Sequence, residues 1–524
     1  MRILFGAAAI AAAVAMSMAG AASAKTFRYA FQGDVLGLDP HTNNHGTTNA
    51  LKGMTYEALL HRKPDLSLEP SLATEWTQVN PTTWRFKLRQ NVKFHNGNPF
   101  TADDVVFSFK RVNHPQSEMA YTVLSIASIT KVNSHEVEIV TKGPNPTLLQ
   151  ELPLFFIMDE EWTVANNATE VVRGAAVQNF PNTNSNGTGP FMIAERVPDT
   201  RTVFVPNPNW WGKPEHNLTR AVFTPIANAA TRVAALLSGE LDMMYDVPLQ
   251  DVQRMSSAPG VKVLQGPELR TIFLGFDQWR DELLDMPGTG KNPFKDVRVR
   301  RAFYQAIDIN AIQRVVMRGA STPTGLMIAP GIQGFDPKLN DRYPFDPDGA
   351  KKLLTEAGYP NGFPVTLDCP NNRYVNDEAI CQAIVPMIKR IGVDIRLNAQ
   401  PLQKHFDKIS KKENNNTSFY MLGWTPGSYD AHNVLIEILT DNPGTWNSGR
   451  YNNPRVKELA GLIAVETNMD KRNAMISEAM KIHKEEFGHI PLHQQALAWA
   501  VRDTVDYIWQ RPFNDVDLRY VRMK

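Results

Sequence analysis

The clearest hydrophobic pattern in the chain runs from residue 365 to residue 424. Positions 365–369 read as a strand. Across 377–391, Ile380, Ala383, Ile384, Met387, Ile388 and Ile391 fall at helical spacing, with Gly392 past the end and Pro386 expected to kink the helix. Residues 393–397 alternate as a second strand, 401–412 form a charged amphipathic helix, and 418–424, with Phe419-Tyr420-Met421-Leu422, form a third strand. Strand, helix, strand, helix, strand at this spacing predicts parallel strands joined by right-handed crossovers. Such a sheet aligns the carboxyl ends of its strands along one edge, and ligands bind just outside that edge.

The rest of the chain mixes shorter elements. Strands are predicted at 27–31, at 84–89, where apolar and charged residues alternate, around Val137 and Ile139, and at 191–193. Thr101 with Asp103 and Asp104 signals a helix N-terminus. Val233, Leu236 and Leu237 mark one face of a helix at 231–238, with Gly239 as its C-cap candidate. Further helices are expected from Val299 to Ile307, from Ile312 to a stop at Gly319, after Asp346-Pro347, after Asn433, and around 475–487. The two tryptophans of NPNWWG, Trp210 and Trp211, read as loop packing. An apolar run at 271–276 passes into a Pro/Gly-rich segment, 277–293, which marks a domain boundary. Residues 496–501 are apolar enough to return as a strand to the first part. Two crossings, near 275 and 490, imply a hinge. The predicted fold is therefore α/β with an α+β first lobe: lobe I over 25–275, with an α+β subdomain at roughly 60–200; lobe II over 276–489; and 490–524 returning to lobe I.

Composition narrows the class. The chain has 524 residues, too many for one compact core. Lys+Arg 55 against Asp+Glu 54 leaves a formal charge of +1, without the basic excess of nucleic-acid-binding proteins. Residues 1–24 carry a single charge, Arg2, then an Ala-rich apolar run and Ala22-Ser23-Ala24, the form of a signal-peptidase site. Cleavage after Ala24 and export to the periplasm are expected; the competing reading of 1–24 is a membrane anchor. No later stretch approaches the ~20 apolar residues needed to cross a bilayer. The two cysteines, Cys369 and Cys381, are a disulfide candidate in an oxidising compartment, which would stabilise the fold by about 3 kcal/mol.

Two loops leave the predicted carboxyl edge. One, 370–376, carries Arg373 and Tyr374. The other, GWTPGSYDAHN at 423–433, carries Trp424, Tyr429, Asp430 and His432 among turn residues. A guanidinium and a carboxylate projecting toward one crevice can hold the two ends of a short peptide. Arg373 would take the carboxylate in a two-pronged hydrogen bond and Asp430 the ammonium. The alternative is that the two side chains pair with each other or point to solvent. An Asn/Gly/Thr-rich loop with Asn44, Gly46 and Thr47 supplies small polar groups and exposed backbone, and Trp446 stands in a Gly/Asn-rich region.

The stretch LATEWTQVNPTTWRFKLRQNVKFHNGNPFTADDVVFSFKR resembles the signature region of the extracellular solute-binding proteins of ABC transporters, family 5. That group includes dipeptide-, oligopeptide-, nickel- and opine-binding proteins. The resemblance continues in order through GTGPF, NPNWWG, RVAALLSGELD, NPFKDVRVRRAFYQAIDINAI, DPDGAKKLLTEAGY and LGWTPGSYDAHN. It implies a two-lobed periplasmic binding protein fold that closes on a solute in an interlobe cleft and docks, as a monomer, on the permease of an ABC importer. It further implies that Arg373 and Asp430 occupy the peptide-clamping positions and that Gly46 and Thr47 touch the peptide backbone. His432 stands where members with the dipeptide clamp tend to have a second Asp, which leaves the solute open among short peptides, opines, nickel chelates, haem and sugar-like compounds. His405, His432 and His493 show no metal-ligand spacing, and no cofactor is expected. An exported hydrolase is the remote alternative: neither a Gly-x-Ser-x-Gly elbow nor a His-Glu-x-x-His motif is present.

Overall fold

The computed structural model describes residues 25–172, 179–409, 415–441 and 446–524; the expected leader, 1–24, lies outside them. One 11-stranded sheet runs through the molecule. From one end its order is Asp394–Gln400, Pro364–Pro370, Phe419–Trp424, Val261–Phe276, His489–Arg502, Met243–Tyr245, Thr26–Phe31, Arg220–Pro225, Arg201–Pro206 and Phe191–Val197, with Thr322–Pro323 beside His489–Arg502. The first strands belong to lobe II and the last to lobe I. Two long central strands, Val261–Phe276 and His489–Arg502, pair antiparallel along most of their length and pass from one lobe into the other. The apolar stretch at 496–501 is one part of a longer, almost wholly buried strand.

The pattern at 365–424 folds as the periodicity predicts. Pro364–Pro370 pairs parallel with both Asp394–Gln400 and Phe419–Trp424. The helix Asp377–Arg390 buries Ile380, Ile384 and Ile388 and runs on through Pro386. The helix expected over 401–412 is described from Leu402 to Ile409; residues 410–414 lie outside the described residues. The disulfide Cys369–Cys381 ties the end of the central parallel strand to this helix. In the same core Phe276, Phe294, Phe303, Phe363 and Phe419 pack as one cluster, with ring centroids 4.9 Å apart for Phe276 and Phe294.

The α+β subdomain is a four-stranded antiparallel sheet, Ala73–Asn80, Thr83–Leu88, Glu136–Thr141 and Ile126–Asn133 in that order, covered by the helix Ala102–Val112. Thr101 and Asp104 close a capping box at the start of that helix, worth about 1 kcal/mol. A buried ion pair, Arg111 to Asp39 at 2.6 Å, fastens the subdomain to the first lobe. The indoles of Trp210 and Trp211 both donate to the Glu57 carboxylate, at 3.1 and 2.9 Å, so this pair packs a loop. The segment from Ile312 is corrected: instead of a regular helix, the short helix Ile309–Ala311 widens into a π-turn, Ile312–Val316.

Candidate functional site

Arg373 follows the carboxyl end of Pro364–Pro370. Its loop is held from below, because one Asp377 carboxylate oxygen accepts the backbone N–H groups of Arg373 and Tyr374 at 2.8 and 2.9 Å. The Tyr374 hydroxyl accepts the N–H of Gly423 at 2.9 Å, which ties the loop to the neighbouring strand. Gly423 is required there: a Cβ would lie 2.8 Å from the Tyr374 ring and 2.7 Å from Ile272. The Arg373 guanidinium is half-buried, 5.0 Å from the centroid of the Tyr374 ring. Among the described residues no hydrogen bond or ion pair reaches it. Burial, and secondly the charge of Arg270, push its pKa down.

Arg270 was not singled out from the sequence. It lies on Val261–Phe276, where Thr271 sits opposite Trp424, so it emerges at the same sheet edge as the two predicted loops. Its Nε donates to Glu268 at 3.0 Å. The other Glu268 oxygen accepts from Gln495 at 2.6 Å, and the Gln495 carbonyl accepts the Val375 N–H at 3.1 Å. This relay links Arg270 to the Arg373 loop. The two terminal nitrogens of Arg270 have no partner among the described residues. The sequence does hold a signal: Glu268 and Arg270 stand two apart, hence on one face of a strand, just before an apolar run.

Asp430 does not stand free for an ammonium group, and that expectation is corrected. Both its oxygens accept from Arg472, at 2.7 and 2.8 Å, and one also accepts the His432 N–H at 2.8 Å. Asp430 is 1% exposed and Arg472 0%. The stretch read as a loop through Asn433 turns into the helix Ala431–Glu437, with Asp430 as N-cap. The carboxylate is spent on a helix terminus and a buried guanidinium, and no contact among the described residues joins it to Arg373.

The remaining predicted residues divide. The Trp424 indole donates to Asn433 at 2.9 Å, and its ring lies 6.2 Å from that of Trp446; both are only partly buried beside the cleft. Tyr429 instead packs against residues distant in sequence: the Arg62 guanidinium lies 4.0 Å from its ring centroid and the Phe513 ring, tilted by 33°, lies at 4.6 Å. Gly46 and Thr47 open the helix Gly46–Thr55, whose N-cap, His45, makes no side-chain cap bond. The charges of Arg373 and Arg270 help burial to push the His45 pKa down, so this lobe I helix start faces the two arginines. Asn44 is held locally, its N–H donating to Glu118 at 2.8 Å and its side-chain carbonyl accepting from Asn49 at 3.0 Å. Across the cleft the Tyr121 hydroxyl of lobe I comes within 3.9 Å of where a Gly427 Cβ would be.

A cavity of 570 Å³ opens behind Tyr429, between Arg62, Leu66 and Gln150 of the subdomain and Gly331–Pro337, Asn473 and Ser477 of lobe II. Neither arginine of the sheet edge nor Trp424 lines it, so this cavity and the unoccupied arginine nitrogens are different places. Among the described residues no three His, Cys, Asp or Glu side chains gather as a metal-binding group.

The description "Bacterial extracellular solute-binding proteins, family 5 Middle" matches residues 67–446. The chain is 29% identical over 502 residues to Heme-binding protein A of Haemophilus influenzae, covering 91% of this chain and 88% of that one. It is 26% identical over 516 residues to the Dipeptide-binding protein of Escherichia coli, covering 93% and 91%. Among solved structures, HbpA2 of Haemophilus parasuis superposes with a TM-score of 0.78 at 25% identity, over 95% of this chain and 100% of that one.

Proposed function

Because the chain belongs to the bacterial extracellular solute-binding proteins of family 5, we propose that its solute is a short peptide or peptide-like acid, recognised through a carboxylate held by Arg373. Proteins of this family are receptors of ABC importers, not enzymes: they bind a small solute and deliver it to a permease. For this chain the reading continues as follows. It works as a monomer in the periplasm, after loss of residues 1–24. The solute lies between the lobes, its carboxylate on Arg373 and its apolar part against Trp424 and Tyr121. The long strands Val261–Phe276 and His489–Arg502 serve as the hinge.

One observation carries this reading. A half-buried guanidinium, on a loop pinned by Asp377, Tyr374 and Gln495, has no counter-ion among the described residues at the sheet edge. A buried charge without a partner is costly, and a carboxylate guest supplies two charge-assisted hydrogen bonds. The relatives named for haem and for dipeptides are both named for carboxylate-bearing ligands. The ammonium end is not assigned to Asp430, whose carboxylate is already paired.

The test is titration calorimetry with a set of short peptides, their C-terminal amides and their N-acetyl forms. Amidation is expected to weaken binding by ~30-fold or more and Arg373→Ala to do the same, from the ~2–5 kcal/mol lost when one partner of a buried charge pair is removed. N-acetylation is expected to cost less than ~10-fold. Amides that bind as tightly as the free acids overturn the reading.

A further inference from the structure

Resting on the carboxylate reading above, we infer that Arg270 is a second anion-binding group, and that the preferred solute carries two carboxylates spaced to reach Arg373 and Arg270 together.

Arg270 is adjacent to Thr271, the residue paired with Trp424, and Arg373 follows the strand that lies beside Phe419–Trp424 on its other side. Two strand positions therefore separate two guanidiniums at one edge, on the order of 10 Å between backbones at ~4.8 Å per strand. That spacing suits a molecule with acid groups a few bonds apart. The relay from Arg270 through Glu268 and Gln495 to the Val375 N–H fixes the position of one cation relative to the other. Arg270 keeps its two terminal nitrogens, the pair that forms a two-pronged bond to carboxylate, free of protein partners among the described residues.

The charges around the pair favour the same guest. Opposite stands the start of the helix Gly46–Thr55, with no acidic residue in its first turn and no side chain capping it. A helix start carries partial positive charge. The acids nearby are Glu268, Asp246 and Glu118. Glu268 is 1% exposed, with one oxygen on Arg270 and the other on Gln495. Asp246 accepts from Asn514 at 2.5 Å. Glu118 accepts the Asn44 N–H. Burial pushes the Glu268 and Asp246 carboxyls up. Glu268 already pairs with Arg270 through Nε, so what a second carboxylate adds is a two-pronged bond to the terminal nitrogens of Arg270, beside the one that a first carboxylate makes to Arg373.

The experiment compares, by calorimetry at one ionic strength, a peptide with only its C-terminal carboxylate and the same peptide with a Glu side chain or an N-glutaryl group as second acid. The wild-type protein is expected to bind the diacid ~10–100-fold more tightly. Arg270→Gln should bring the diacid to the affinity of the monoacid and leave the monoacid within ~3-fold; Arg270→Lys should recover part of the difference. Thermal melting of each variant shows whether it is folded. Equal affinity of wild type for the two ligands overturns the inference, as does equal weakening of both by Arg270→Gln in a protein that melts like wild type. Either result leaves the Arg373 reading standing, since that reading fails separately, by tolerance of C-terminal amidation.

Discussion

Replacing Asp430 with Ala separates the two roles this residue can have. In the structure its carboxylate receives both terminal nitrogens of Arg472 and caps the helix Ala431–Glu437. Removing it leaves a guanidinium that is 0% exposed, with its Nε on the Ile463 carbonyl and nothing opposite its charge among the described residues. Breaking a buried pair from one side costs about 3–5 kcal/mol, and losing an Asp cap about 1 kcal/mol more. The expected loss, about 4–6 kcal/mol, is comparable with the whole stability of many domains. Urea melts followed by tryptophan fluorescence, without ligand, measure it. The pair Asp430→Asn with Arg472→Met keeps a capping acceptor and removes both charges. It should recover all but about 1–2 kcal/mol and bind C-terminal carboxylates within ~3-fold of wild type, since replacing a buried pair by neutral groups is often close to neutral. A protein with Asp430→Ala that melts like wild type but no longer binds free-amine peptides would refute the reasoning and return Asp430 to the ligand.

Two further outcomes follow from the fold. Replacing Cys369 and Cys381 together with Ser opens a bridge between residues 12 apart. It should lower stability by about 3 kcal/mol, read as a drop in urea midpoint that the wild type reproduces in reducing agent; an unchanged midpoint in both would show that the bridge contributes nothing. Burial holds His41, His483 and His493 near a pKa of about 3 and His405 near about 4, all from 6.5. The folded state keeps these imidazoles neutral while the unfolded chain protonates them, so their contribution is complete above pH 6.5 and is lost as pH falls toward 3–4. Each costs about 1.4 kcal/mol per pH unit in that window. Asp104, its carboxyl pushed up to about 6 by burial, opposes the trend, because its folded form takes up a proton before the unfolded one does. Burial pushes other carboxyls up as well, Glu268 and Asp246 among them, and other histidines down, His95 and His216 to about 4. Among the described residues, ten histidines shifted down against eight carboxyls shifted up leave a net fall in urea midpoint between pH 6.5 and 4.5, and a midpoint that rises there would contradict the burial of neutral imidazoles.

The parts of this molecule legible in its sequence are those set by periodicity and end signals. Residues 365–424 showed their strands and helices because each buries one face against the same sheet, and the crossover rule then put their loops on one edge. Thr101, Asp346 and Gly239 marked helix ends because capping is a local matter of one side chain and two or three amides. Partner choice was not legible. Asp430 and Arg472 are 42 residues apart, and nothing in either segment announces the other; the helix that Asp430 caps begins inside a stretch whose Pro, Gly and Ser read as loop. Tyr429, an aromatic in that loop, found Arg62 and Phe513, distant in sequence, instead of a guest. Arg270 was missed for the converse reason: it stands in a strand whose apolar part drew the reading, and its significance lies in two terminal nitrogens that its ion pair with Glu268 leaves unoccupied among the described residues, a property of the folded surroundings. Charge bookkeeping corrects both errors. Asp430 is neutralised inside the protein, so it has no charge left to offer a solute, whereas Arg373 and Arg270 carry terminal nitrogens that the described protein does not occupy. Under the proposal above, acid groups of the guest meet those nitrogens.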